Sequence, residues 1–493
     1  MNKIHNVFTD QYFNVHTRGK LLGQGGQGVV FRTKDPDIAI KLVTDENGDP
    51  VTDRALISHF SNRLKNVRLL PLPNDLNLSV PAALLKDKVG YVMQLLSDMV
   101  PFSSFWLDGK TAEQIKSANI PEWLGEMSED DAKKLVHYCK TGGLRRRLIA
   151  LYKCSAILAR LHGNGFVYGD ISPANAYLSK DLSLAEVWFI DADNLRFEIA
   201  SGGSGVYTPK YGAPELVQEL DGGRPGTDCH AFAVMAFYIL SMIHPFVGDL
   251  VEGGGENDWA DDDFDEEDLE EKAYAGHLPW VDDCDDDSNS TSSGLPRQLV
   301  LTEKLAALFQ RTFRNGRTSF WKRPAIYHWP EALAEAADKT IVCLSCYMSW
   351  FINIERENCP YCDSSKPSII FFESYRWTGE KELASPCWSY AHELSMSEEP
   401  LILPERIFKP FSMSDSDNSI LKLFFNEQNI LITKSEACNI NISVALPNEN
   451  GGGFRSFVSK LQLPVSVIKT GFWLYADGDE PRIIKCSIIG DPK

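Results

Sequence analysis

The spacing of apolar positions changes twice along this chain. From residue 1 to about 338, short apolar runs that read as strands alternate with stretches of helical period. Val29, Val30 and Phe31 follow a glycine-rich turn, and IAIKL around Lys41 and GYVMQLL around Met93 are strand-like. Residues 52–66 and Leu144–His162 read as helices. The longest apolar run, Ala231–Ile243, covers 13 residues. A membrane span requires about 18, so this run predicts a buried core helix. Residues 340–365 are short, turn-rich and cysteine-paired. From about 368 the pattern becomes strand-like, in SIIFFE, ILKLFF, NILITK, INISVAL, VSVIKTGFWLY and RIIKCSII, divided by Asn, Gly, Asp and Pro. The pattern predicts an α+β region at 1–338, a small module at 340–365 and a small all-β domain at 368–493.

At 493 residues the chain exceeds a single core, and two or three domains are expected. Between Glu256 and Ser290 stand 16 acidic residues and one lysine, Lys272, a local charge of −15. Of the formal net charge of −19, only −4 is left for everything else. That near-balance argues against broad binding of nucleic acid or anionic membrane. The acidic segment 256–290, which ends in SNSTSSG, predicts a solvated, mobile insertion, with attraction of a basic partner as the alternative. MNKIHNVFTDQYF has no apolar core of a secretory signal. Of the 11 cysteines, four form two CxxC pairs and the others lack disulfide-like spacing. A reducing, cytoplasmic setting is expected.

The sequence LLGQGGQGVVFR sets Gly23, Gly25 and Gly28 in a G-x-G-x-x-G pattern, with Gly26 inside it and Val30 after it. Glycines let a tight turn lie close over phosphate oxygens. The same pattern opens a dinucleotide-binding turn, but that requires a helix after the glycines, where this sequence predicts a strand. Lys41 lies 13 positions beyond Gly28 between apolar neighbours, Ala39, Ile40 and Leu42. Its ammonium would be directed into the cleft beneath the loop, where it can hold ATP phosphates.

The segment LARLHGNGFVYGDISPANAYLS runs from a helix end through two glycines into Asp170, Pro173 and Asn175. After VWFI comes Asp191. Asp170 would orient and deprotonate a hydroxyl, while Asn175 and Asp191 offer the hard oxygen ligands that Mg²⁺ prefers.

These residues resemble the protein kinases. Gly23–Val30, Ala39-Ile40-Lys41, Tyr168-Gly169-Asp170 to Asn175, Asp191-Ala192-Asp193 and Gly212-Ala213-Pro214-Glu215 are similar, in order, to the Gly-rich loop, the VAIK strand, the HRDLKPEN loop, DFG and APE. Asp228 resembles the aspartate opening the long helix of the C-lobe, and Arg323 the late arginine that pairs with the APE glutamate. The resemblance implies a bilobal protein-kinase fold over 1–338, with its N-lobe at about 15–97. It implies ATP- and Mg²⁺-dependent transfer to Ser/Thr hydroxyls of a protein substrate, including autophosphorylation. Met93 takes the gatekeeper position, and the backbone at Gln94–Leu96 faces adenine. YGDISPAN, FIDADN and IHPFVGD, with a zinc-ribbon tail, resemble bacterial kinases of the tellurite-resistance-associated type. Their relatives are found with a PP2C-type phosphatase and a von Willebrand-type domain protein.

The pattern departs at several points. Tyr168 and Gly169 stand where His and Arg are usual, so an obligatory phosphate on the following loop is not expected; Ser201, Ser204 and Thr208 are candidate modification sites there. Ser172 replaces a lysine, and Asp193 replaces the DFG glycine. No glutamate occurs from 47 to 112, so the helix at 52–66 offers only Asp53, His59 or Asn62 as a partner for Lys41. The rival is a pseudokinase scaffold that binds nucleotide or partners without phosphotransfer.

Cys343-x-x-Cys346 and Cys359-x-x-Cys362 are separated by 12 residues. Two CxxC turns present four thiolates to one tetrahedral ion, a structural Zn²⁺ with no open position; a redox pair is the alternative. Residues 368–493 carry no pattern tied to chemistry.

Overall fold

The structure, a computed structural model, describes residues 6–25, 28–44, 49, 51–86, 88–199, 205–253, 266–379, 385–394, 399–413, 418–426, 429–436, 438–446, 453–464 and 467–490. It is mixed α+β with several sheets and separates into two compact units. The first comprises Met1–Trp106, Lys153–Gly294 and Ala306–His328, and the second Leu107–Tyr152, Leu295–Leu305 and Trp329–Lys493.

The first unit opens with a six-stranded antiparallel sheet ordered β1 (Val7–Thr9), β2 (Val15–Gly25), β3 (Gly28–Thr33), β4 (Ile38–Leu42), β6 (Gly90–Gln94) and β5 (Ala83–Leu84). Side chains alternate across a strand, so β4 serves two apolar layers. Ile40 and Leu42 join Phe8, Val29, Phe31 and Val92 on one face. On the other, Ala39 packs with Leu64, Leu84, Tyr91 and Met93. Lys41 therefore points into the second layer. That layer is covered by α1 (Arg54–Arg68), whose start is capped by Asp53 accepting from Leu56 N at 2.9 Å. Lys65 and Arg68 lie in its last turn, where the helix dipole favours positive charge.

Five short strands after the sheet frame the connections that carry the polar residues of interest. β7 (Met99–Pro101), β9 (Ala176–Ser179) and β10 (Val187–Phe189) form a three-stranded sheet, and β8 (Phe166–Val167) pairs with β11 (Arg196–Phe197). Below them the helix Pro225–Ser241 is buried on nearly all sides. This matches the core helix expected for the run beginning at Ala231.

The acidic segment departs from its expectation of a solvated, mobile insertion. Residues 254–265 lie outside the described residues, but Glu266–Tyr274 is a helix. Trp280 is 1% exposed and its ring meets Phe237 and Phe313 edge-on or tilted at 5.4 and 5.2 Å. Asn289, fully buried, donates to Phe246 O and Pro279 O and accepts from Gly248 N. Average charge hides such anchors, because carboxylates can stay in water while their apolar neighbours turn inward.

In the second unit, Trp329–Asp338 is helical and Thr340–Val342 pairs with Ser349–Phe351. The C-terminal part forms two antiparallel sheets. One runs Trp388–Glu393, Ile369–Arg376, Arg482–Ile489, Phe472–Asp477, Asn441–Ala445 and Arg455–Ser456. The other runs Leu401–Pro404, Ser419–Phe425, Asn429–Lys434 and Lys460–Pro464. Val467–Thr470, which the pattern VSVIKTGFWLY places in a strand, is instead a helical turn ended by Gly471 at φ 72°. Asp338 accepts from Trp388 Nε1 at 2.8 Å and from two nitrogens of Arg406 at 2.6 Å. Arg145 donates to both oxygens of Glu393. These ties bind Trp329–Asp338 and residues near 145 to the sheet. The sequence divisions at 338 and 368 thus fall inside one compact unit, because buried contacts between distant segments, not changes of pattern, set its edge.

Candidate functional site

Lys41 is 3% exposed and its Nζ bonds to two carboxylates, Asp191 Oδ1 and, at 2.8 Å, Asp193 Oδ2. Burial alone pulls its pKa down, and the charges of Asp193 and Asp191 more than reverse this, leaving it raised. The Tyr91 ring lies 6.0 Å from the ammonium. Burial pushes the Tyr91 hydroxyl well up, the two carboxylates adding to it, so it stays neutral.

Of the glycines ahead of Lys41, Gly28 has a steric reason: a Cβ there would lie 2.3 Å from Leu42 O and 3.4 Å from Lys41 Cε, at a φ of 155°. Gly25 pairs with it at the hairpin end; Gly23 faces open space, and Gly26 lies outside the described residues. Val30 pairs with Lys41, and Ala39 with the buried Met93. Gln94 is exposed and Leu96 half-buried.

Asp170 and Asn175 occupy the connection between β8 and β9. Asn175 Nδ2 donates to Asp170 O at 2.9 Å and Oδ2 at 3.2 Å, and Thr208 Oγ1 donates to Asp170 Oδ1 at 2.7 Å. Burial raises the Asp170 pKa, against the lowering effect of the Thr208 and Asn175 bonds. The backbone of this connection is held from below. Asp228 accepts from Tyr168 N at 2.8 Å, Gly169 N at 2.9 Å and His162 Nε2 at 3.0 Å. Burial lowers the His162 pKa, but the bond to Asp228 lifts it to about 10. The Tyr168 hydroxyl donates to Ile190 O, one residue before Asp191.

Asp191 has φ 61°, a left-handed conformation that a non-glycine residue adopts at a cost of about 1–3 kcal/mol. It stands at the residue before the 3₁₀ turn Ala192–Asn194, with no side-chain bond to that turn's backbone. Its own pKa is raised, by burial against the opposing Lys41 charge. Arg323, far along the chain, grips both oxygens of Glu215 at 2.6 and 2.7 Å, so the pair expected from the sequence is present.

None of the α1 candidates meets Lys41. Asp53 serves as the helix cap, and His59 and Asn62 are exposed; the buried residues of α1 are Leu64 and Val67. Sequence reading missed Asp193 as the second partner of Lys41. The available signal was a second carboxylate two positions after Asp191, following the apolar VWFI. It also missed the bond between Thr208 and Asp170, which no local spacing reveals. Ser201 and Ser204 lie outside the described residues.

The structure thus brings Lys41 together with Asp191 and Asp193, and Asp170 together with Asn175 and Thr208. The donors near Asp191 and Asn175 are oxygens, the chemistry that suits Mg²⁺ rather than a soft metal. The Asp191 side chain retains 26% exposure, against 1% for Asp193.

In the second unit, the sulfurs of Cys343, Cys346, Cys359 and Cys362 lie within 4.8 Å of one another, with three of the residues buried. Two of the separations, Cys343 to Cys362 and Cys346 to Cys359, are 3.7 Å. A tetrahedron with metal–sulfur bonds of about 2.3 Å has edges of about 3.8 Å, so the cluster could hold one ion. The Cys359 thiol is held below its ordinary range, chiefly by its hydrogen bond with Cys346. Ser345 N and Tyr361 N donate to Cys343 and Cys359 sulfurs at 3.3 and 3.5 Å, as knuckle turns do.

No helix among the described residues is long and apolar enough to cross a membrane. Comparison of the chain with protein-family models and with curated proteins finds no match.

Proposed function

We propose that this chain is an ATP- and Mg²⁺-dependent protein kinase that transfers the γ-phosphoryl group to Ser/Thr hydroxyls. The observation that carries the reading is the convergence of Lys41 on Asp191, 150 positions apart, from the two motifs that nucleotide binding requires. An ammonium has three donors. Among the described residues two engage carboxylates, and a third is left for a phosphate oxygen. Asn175 and Asp191 would hold Mg²⁺, which when bound supplies charge neutralisation for the phosphate oxygens. Asp170 would accept the hydroxyl proton, with Asn175 fixing its orientation. Its raised pKa brings it nearer the working range of a general base. Thr208 occupies the Asp170 oxygen that a substrate hydroxyl would use, so substrate must replace or share that bond. Beyond this, catalysis is positioning and electrostatics. The thiol cluster is read as a structural zinc ribbon, since four protein sulfurs leave no open position.

The test is phosphosite mapping after incubation with labelled ATP and Mg²⁺, wild type beside Asp170→Asn. Incorporation by wild type alone supports the reading. No incorporation, or equal incorporation by both, sinks it and leaves a nucleotide-binding or partner-binding scaffold.

A further inference from the structure

Helix α1 brings no carboxylate to the lysine. Where it faces Lys41's layer it presents Leu64, packed with Ala39, Tyr91 and Met93. Its polar link to this region is Arg63, whose Nη1 donates to Asn194 Oδ1 at 3.3 Å. The helix therefore touches the turn that carries Asp191 and Asp193, while the lysine is held from within that turn.

We propose that Asp193 is the positioning residue for Lys41, holding its ammonium so that Asp191 stays available to a metal ion. This rests on the nucleotide-binding reading above. The two carboxylates are differently placed for these tasks. Asp193 is 1% exposed and bonds Lys41 at 2.8 Å, so the only cation it meets among the described residues is this ammonium. Asp191, with a quarter of its side chain open, can serve a second cation. One ammonium against two carboxylates also leaves a surplus negative charge in a buried place, which favours a cation at the open one. A shift of α1 would then act on the turn through Arg63 and Asn194, without stripping Lys41 of its anchor.

The experiment uses the full chain with D193N, D193E and D191N, each verified as folded by its melting curve. Two quantities are read: the rate at which acetic anhydride acetylates Lys41, with the other lysines as internal reference, and the KM for MgATP beside kcat. D193N is expected to acetylate at Lys41 at least about tenfold faster than wild type, and D191N less than about threefold faster. D193N should raise KM at least about tenfold with a smaller change in kcat, because the lysine is misplaced before any chemistry. D193E should return acetylation to within about threefold of wild type. Unchanged acetylation in D193N, or equal acceleration in D193N and D191N, overturns the assignment. If D193N does not fold, D193E decides: acetylation about tenfold above wild type in folded D193E is equally fatal. A wild type that binds no MgATP removes the nucleotide reading, while the acetylation comparison still judges Asp193.

Discussion

The oxygen-rich site of the first unit and the thiol cluster of the second assemble their polar groups over very different lengths of chain. Lys41 meets a carboxylate 150 positions on, and Arg323 meets Glu215 across 108. The four sulfurs come from Cys343 to Cys362, and the two 3.7 Å sulfur pairs are 19 and 13 positions apart. The short-range cluster needs little more than two turns and an ion to close it. The long-range site needs a sheet, a helix layer and two connections to agree before any of its bonds can form.

Removing the ion proposed for the thiol cluster should give the largest effect. A structural zinc site is worth about 10–16 kcal/mol of apparent binding free energy at pH 7 in small peptides. Chelation, or Cys359→Ser with Cys362→Ser, is expected to take the metal content from about one zinc per chain to below half. The melting transition of the second unit should fall or vanish, while a wild-type melting curve in excess chelator would break the comparison. Next, Asp170→Asn should cut phosphotransfer by roughly 10²–10⁴-fold with little change in melting temperature, measured by radiolabel incorporation. A comparable loss of stability would mean that Asp170 serves the fold rather than the chemistry.

Breaking the pair between Arg323 and Glu215 by Glu215→Gln should cost about 3–5 kcal/mol, since it strands a buried guanidinium. Replacing both by apolar residues should cost less. Denaturant midpoints of the two singles and the double measure the coupling directly, and additivity would show that the long-range contact is dispensable.

The last effect is pH-dependent. Burial pulls the His162 pKa down and the bond to Asp228 lifts it further, from 6.5 to about 10. A folded value above the unfolded one stabilises fully below about 6.5 and is lost as pH rises through about 10. The stability advantage of wild type over His162→Gln should shrink by up to about 5 kcal/mol across that window, followed by urea unfolding at fixed pH values. A constant difference would mean that the imidazole is neutral throughout.

Legibility followed the same division. The cysteine spacing announced its cluster because a CxxC turn is nearly complete as local geometry. The strands β3 and β4, the helix begun near Leu144 and the buried helix near Ala231 were visible because each carries its apolar pattern, an alternation or an unbroken run, within its own length. The division near 338 falls inside one compact unit, where Asp338 is bonded to Trp388 and Arg406. The segment after Glu256 was read by its charge, while Trp280 and Asn289 were deciding that its later part is core.

By itself the sequence determined the local periods, the glycine needed at Gly28, the two CxxC turns and which residue types could do chemistry. The partners were a different matter. That Asp193 holds Lys41, that Thr208 reaches Asp170 and that α1 offers Leu64 instead of a carboxylate are consequences of which layers face each other. Local preference is a property of a few adjacent residues. A buried charge takes its partner from whatever the packed layers deliver within hydrogen-bond reach, and only the tertiary structure decides that.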